Sequence, residues 1–177
     1  MAQIDEFKAN LLGGGARSNQ FRVTIVPPSG IAIGLDVRRT SFLCSASVLP
    51  EITLGTVPLK FRGRTINIAG DRDAAGEWTT TFYNDTDFMI RNAIERWSNG
   101  INDFADNTGT QAMSDYATDL TVDQLDRDGT VLKTYIFKNS WPSTIGEIAL
   151  QSDADTEIET FDCTWQYQHI EASGVNF

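Results

Sequence analysis

The stretch 158–170 most restricts how this chain can fold. Phe161, Cys163, Trp165 and Tyr167 alternate there with Asp162, Thr164, Gln166 and Gln168. An extended strand sends successive side chains to opposite faces, so one side of this segment is aromatic and the other polar. Such a strand is stable only within a sheet whose apolar face is covered. The same period of two recurs along the chain. Phe21, Val23 and Ile25 alternate with Arg22 and Thr24 before Pro27-Pro28-Ser29-Gly30, and Phe42, Cys44, Ala46 and Val48 form a second half-buried run ended by Leu49-Pro50. Segments 65–68 and 77–83 add two strands. The second carries Thr79-Thr80-Thr81, whose branched side chains suit a pleated surface. Segments 117–125 and 130–137 flank Asp126-Arg127-Asp128-Gly129, and Asp-Gly between two β-prone runs specifies a hairpin. Trp141-Pro142 reads as a break.

One helix is expected, over 86–101. Asp85 and Thr86 are competent N-caps, and Ile90, Ile94, Trp97 and Ile101 fall on one face at spacings of four, three and four. Asn99-Gly100 reads as its stop. Residues 1–16 form an arm with a short amphipathic turn or helix, ended by the joint Gly13-Gly14-Gly15. Residues 49–64 carry Gly55 and Pro58 and read as a long excursion, not a tight hairpin. Ile52, Leu54, Val57 and Leu59 make that excursion too apolar for a free loop, so it is the best candidate for reaching a neighbouring subunit or ring. No repeat or linker divides the 177 residues, so one mainly β domain with a flanking helix is expected.

Charge and missing motifs narrow the function. Acidic residues outnumber basic ones 24 to 14, a net charge of −10, which opposes duplex binding through phosphate neutralisation. No apolar run approaches the roughly 18–20 residues of a membrane-spanning helix. The first residues lack the basic and apolar regions of a secretory signal, so folding in a cytoplasm is expected. Cys44 and Cys163 are far apart, and in strands they read as buried free thiols. His169 is the sole histidine, read as packed on the aromatic face of the last strand. Neither a nucleophile elbow, a zincin pair nor a phosphate loop is present, and Gly13–Gly15 fails the dinucleotide fingerprint. Gln124, Asp126, Asp128 and Gly129 imitate part of a calcium loop, but Tyr135 stands where a bidentate Glu is needed, so a hairpin turn explains them better. Asp153-Ala154-Asp155-Thr156-Glu157 reads as a solvated loop ahead of a weak cation site. No catalytic residue, cofactor or metal is expected.

A longer pattern is more specific. Leu49-Pro50, Gly55, Pro58, Phe61 and Arg64 lead into Ile66-Asn67-Ile68-Ala69-Gly70-Asp71-Arg72, then Trp78, Thr79-Thr80-Thr81-Phe82-Tyr83-Asn84-Asp85, and later Arg91, Ile94 and Trp97. Arg17-Ser18-Asn19-Gln20-Phe21 near the start and Trp141-Pro142-Ser143-Thr144-Ile145-Gly146-Glu147-Ile148 near the end agree. So do Glu157-Ile158-Glu159-Thr160-Phe161 and the closing strand. Together these resemble the tail tube proteins of T-even-type contractile bacteriophages, with 108–138 the weakest stretch. The segment 27–37 is longer than the short turn of that family.

The resemblance implies a virion structural protein with an antiparallel β-sandwich or barrel and one flanking helix. Inner strands of six subunits would join into one continuous barrel, and the rings would stack into a hollow tube. Implied partners are further copies of the chain, a tail sheath protein, a baseplate or tube initiator, a tail terminator and a tape measure protein. DNA would pass through the lumen without specific binding, after assembly in the host cytoplasm. Six chains of −10 give a ring of about −60, and an acidic wall repels DNA within a Debye length of about 8 Å. Asp119, Thr121, Asp123, Asp162, Thr164 and Gln166 are the expected lumen residues. Two alternatives stay open: a tube subunit of a related contractile injection or secretion apparatus and, more distantly, a β-sandwich hydrolase or binding module.

Overall fold

A computed structural model describes residues 2–152 and 156–175. Its strands are β1 (Phe21–Ile25), β2 (Cys44–Val48), β3 (Thr56–Phe61), β4 (Arg64–Ala69), β5 (Gly76–Tyr83), β6 (Thr118–Leu125), β7 (Val131–Ile145), β8 (Thr160–Tyr167) and β9 (His169–Ala172). Helices α1 (Ala2–Asn10), α2 (Val37–Leu43), α3 (Met89–Ile101) and the short α4 (Met113–Tyr116) punctuate them. The main sheet is antiparallel throughout, in the order β1-β6-β7-β8-β5-β2, with β9 also on β7. Among the described residues β3 and β4 pair only with each other.

The sheet folds on itself at one corner of β7. Asn139 adopts the left-handed conformation at φ 52°, and the Gln168 amide donates to the Lys138 carbonyl at 3.0 Å. On one side of that corner β7 pairs β6 and β9; beyond it, Trp141 to Ile145 pair β8. Two walls result. The β6 wall holds β1, β6, β9 and the first part of β7, and the β8 wall holds the rest of β7, β8, β5 and β2. Their alternating apolar residues meet inside: Val23, Ile25, Leu120, Val122 and Phe137 from one, Trp78, Phe82, Phe161, Cys163, Trp165 and Tyr167 from the other, all buried. Phe137 meets Tyr167 edge to face at 5.2 Å.

Helix α3 covers this core with Ile90, Ala93, Ile94 and Trp97, the expected stripe. The Trp97 ring lies 5.5 Å from Trp165, and its indole N–H donates to the Tyr116 carbonyl at 2.7 Å. A fully buried side chain of this size stabilises the fold by roughly 1.5–3 kcal/mol, so Trp97→Ala is the single change most damaging to the helix's seat.

Several local expectations change. α3 begins at Met89, not residue 86: Phe88 takes a left-handed conformation and Asp87 Oδ1 accepts from the Met89 amide, while Asp85 caps only the Thr86 amide. Gly100 is no stop; it lies within the helix because Ile31 packs against it, and a Cβ there would sit 2.7 Å from Ile31 Cγ2. Residues 37–43, partly read as strand, form α2, whose N-cap Asp36 accepts from the Arg38 and Arg39 amides. Phe42 is therefore outside the alternation and 76% exposed. Pro142 does not break β7. It lies past the corner, where a bulge between Pro142 and Thr144 accommodates it. The last strand divides at Gln168, which turns His169 off the aromatic face to an exposed position 3.7 Å from Glu171. The weak cation reading of 153–157 rests on Asp153 and Asp155, outside the described residues. Among the described residues no helix is long and apolar enough to cross a membrane.

Candidate assembly surfaces

The excursion after β2 is a hairpin, not an open loop. Arg62 and Gly63 both have positive φ, 47° and 81°, the requirement of the tight turn that matches the twist of two strands. Its base closes where the Gly55 amide donates to the Asp71 carbonyl at 2.9 Å and the Gly70 amide to the Gly55 carbonyl at 2.7 Å. A Cβ on Gly55 would lie 2.6 Å from the Asp71 carbonyl oxygen, so the close approach requires glycine. The register pairs Val57 with Ile68, Leu59 with Ile66 and Phe61 with Arg64, which sets five apolar side chains on one face. All five are exposed, as are Ile52 and Leu54 on the approach. A lone two-stranded hairpin is marginal in water, and this apolar face has no cover within the described residues. The signal for the hairpin was the alternation of Val57, Leu59 and Phe61 with Gly63 after it.

The six expected lumen residues do not share a surface. Asp119, Thr121 and Asp123 stand on the outer face of the β6 wall, and Asp162, Thr164 and Gln166 on the outer face of the β8 wall, with the core between. The two faces also differ in charge. On the β6 wall, Asp123 pairs with Arg22 at 2.9 Å and accepts from the Thr134 hydroxyl at 2.7 Å. Asp119 pairs with Lys138 at 2.9 Å, and Lys138 reaches Glu171 at 3.4 Å. Partial burial works against the Asp119 charge, but the bonds from Lys138 and the Asn139 amide outweigh it and hold the carboxyl below its ordinary range. On the β8 wall, β2, β5, β8 and residues 141–145 contain no Lys or Arg. Their outer face carries Glu77 and Asp162 among threonines. The Thr81 hydroxyl donates to Asp162 at 2.6 Å and the Gln166 amide to Glu77 at 2.7 Å. Cross-strand pairs Thr79–Thr164 and Thr81–Asp162 run across this face, and exposed Val48, opposite Thr79, and Tyr83 add apolar surface to it.

Comparison with known proteins decides what kind of surfaces these are. The sequence profile of the phage tail tube protein family matches residues 16–172. The chain belongs to that family. A tail tube protein of Serratia phage KSP90 is 28% identical over 94% of this chain and 95% of its own length. Tail tube protein gp19 of Enterobacteria phage T4 is 33% identical over 70% of this chain and 76% of its own. The fold also matches a chain of the sheath-tube complex of an extracellular contractile injection system, with a TM-score of 0.58 and 15% identity over 95% of this chain and 97% of that one. This tail tube protein is thus a structural component of a contractile phage tail and not an enzyme.

Proposed function

We propose that the chain forms six-membered rings that stack into the inner tube of a contractile phage tail, the conduit through which the genome leaves the virion. The observation that carries this is the β3–β4 hairpin: a folded arm with one apolar face and nothing among the described residues to cover it. A neighbouring ring or subunit supplies that cover, with Ile52, Leu54, Val57 and Leu59 as contact residues and Phe61, Ile66 and Ile68 completing the face. Ring closure joins strand edges of adjacent copies and satisfies backbone groups that an open sheet leaves unpaired.

The conduit wall in this reading is the β8 wall. A cation there would hold DNA by neutralising phosphates, and the four strand segments have none. Asp162, Thr164 and Gln166, with Glu77, Thr79 and Thr81, then face the lumen. Asp119 and Asp123, already paired with cations, look away from it together with Thr121. The outer surface and tube ends meet the sheath, the baseplate or initiator and the terminator, and a tape measure protein fills the lumen before ejection. Assembly takes place in the host cytoplasm.

The test is to express the chain alone, pass it through size exclusion over a range of concentrations and image it by negative-stain electron microscopy. Rings or hollow tubes are expected. A monomer that also fails to add to purified baseplates overturns the reading.

A further inference from the structure

The hairpin and the connection from β7 to β8 leave the β8 wall at opposite ends. Val48 of β2 is level with Thr79, near the start of β5, so the chain enters the hairpin at that end and returns from it at Gly76. At the other end Tyr83 is level with Thr160, and the chain between Ile145 and Thr160 closes the wall there. The eight residues of β5 set the two ends about 24 Å apart.

The two ends carry opposite charge. Lys60, Arg62 and Arg64 put three of the chain's 14 basic residues into one short span, and 56–69 contain no acid. Residues 139–168 contain no Lys or Arg, and Glu147, Glu157 and Glu159 belong to the connection at the far end. Neither the three cations nor Glu147 and Glu157 form an ion pair among the described residues. The register sets Arg64 opposite Phe61 on the apolar face, with Arg62 in the turn beside them and Lys60 on the other face. Arg62 lies 5.3 Å over the Phe61 ring. Apolar and basic surface therefore meet at the hairpin tip.

The far end combines apolar surface with acid. Leu150 and Ile158 are 81% and 70% exposed, and with Ile148, Glu157 and Glu159 they line an open cleft of about 290 Å³. Its approaches are fixed to the body. The Gly146 carbonyl accepts from Arg91 at 2.9 Å, and the Glu159 carbonyl accepts from the Asn84 amide at 2.9 Å. In one chain the tip and the cleft belong to opposite ends of the wall. A second copy placed beyond the first along the strands brings one tip to the next cleft. Such a head-to-tail contact joins two different surfaces and repeats without limit, as a stack of rings requires.

We propose that the hairpin of one copy docks in the cleft of the copy stacked beyond it, with Phe61 between Leu150 and Ile158 and with Arg62 and Arg64 facing Glu157 and Glu147. This rests on the tube reading and selects a stacked neighbour over one in the same ring.

The experiment sediments tubes of the full chain and compares charge variants. Arg62→Glu with Arg64→Glu is expected to lower the pelleted fraction about tenfold, because like charges pressed together oppose docking. Adding Glu147→Arg and Glu157→Arg to that chain is expected to bring pelleting back to within about twofold of the parent, since the pairs are re-formed in reverse. All four positions are exposed and lie outside the core. Unchanged pelleting of the first variant, or no recovery in the second, overturns the docking. A further chain carries Phe61→Cys and Leu150→Cys, the native thiols being buried. Oxidised and denatured without reductant, it is expected to run as a ladder of linked chains, whereas Phe61→Cys with Phe104→Cys gives no ladder. Tubes without the ladder sink this inference alone. The ladder without rings or tubes sinks the tube reading and keeps the contact.

Discussion

The indole of Trp78 lies flat on the ring of Phe137, with centroids 4.4 Å apart and planes 9° from parallel. Trp78 belongs to β5 and Phe137 to β7, so this stack fastens one wall to the other. Both residues are fully buried. Truncating either to alanine removes the stack and leaves a cavity, at a cost of about 3–5 kcal/mol. Urea unfolding followed by tryptophan fluorescence for Phe137→Ala measures this. A loss under 1 kcal/mol would show that the walls do not depend on the contact.

The hairpin gives the opposite expectation. Leu59→Asp with Ile66→Asp replaces one cross-strand apolar pair of the exposed hairpin by two charges and leaves the buried core of the single chain untouched. Its melting temperature is expected to stay within about 2 °C of the parent, since surface changes cost under about 0.5 kcal/mol. Tube formation in the microscope is expected to vanish. Intact tubes from this variant, or from a chain lacking residues 53–58, remove the hairpin from the interface.

The assignment of the conduit wall is open to a charge reversal in function. Thr79→Lys with Thr164→Lys sets two cations opposite each other on the β8 wall. Particles carrying them are expected to assemble and to eject DNA at least several-fold more slowly, most clearly at low salt. Thr24→Lys with Thr121→Lys, paired in the same way on the β6 wall, is the control. A slowdown confined to the control pair would exchange the two walls.

Arg39 ties α2 to the loop before α3 through Asp85 and through Asp87 at 2.7 Å. Hydrogen bonds from Arg39 are the chief reason both carboxyls sit below their ordinary range. Their folded values lie below the unfolded ones, so the clamp stabilises the fold above about pH 4 and loses that effect as pH falls through the depressed values. Arg39→Met is therefore expected to lower the urea midpoint at pH 7 and to match the parent in strong acid. A gap independent of pH would mean that the carboxylates contribute nothing.

Both thiols are expected to be inert in the native protein. Burial pushes Cys44 up to about 12 and Cys163 well above its ordinary value, and the thiolate is the reactive form. A thiol-specific dye at pH 8 should label neither until denaturant is added. Stoichiometric labelling of the folded chain would place at least one of them at an open surface.

Much of this was written in the alternation of side chains. Phe161, Cys163, Trp165 and Tyr167 lie inside, and Asp126 to Gly129 turn the expected hairpin. What was hidden is non-local. Whether Asp162 and Asp119 look the same way depends on how β7 bends, and no strand carries that information by itself. α2 escaped because Phe42 happens to continue the period of Cys44, Ala46 and Val48. Its one clear signal was Asp36, a capping residue followed by Val37-Arg38-Arg39. The hairpin turn at Arg62-Gly63 was obscured by Gly55 and Pro58, which mark its base and one exposed strand.

β7 runs unbroken from Val131 to Ile145 through the corner at Asn139 and belongs to both walls. A sudden axial stroke on one wall therefore reaches the other along covalent bonds. It does not have to pass through hydrogen bonds that shear one after another. In the tube proposed above, a subunit braced by such a strut moves as a stiff piece, and tension is relieved at the seams between copies before it opens the fold.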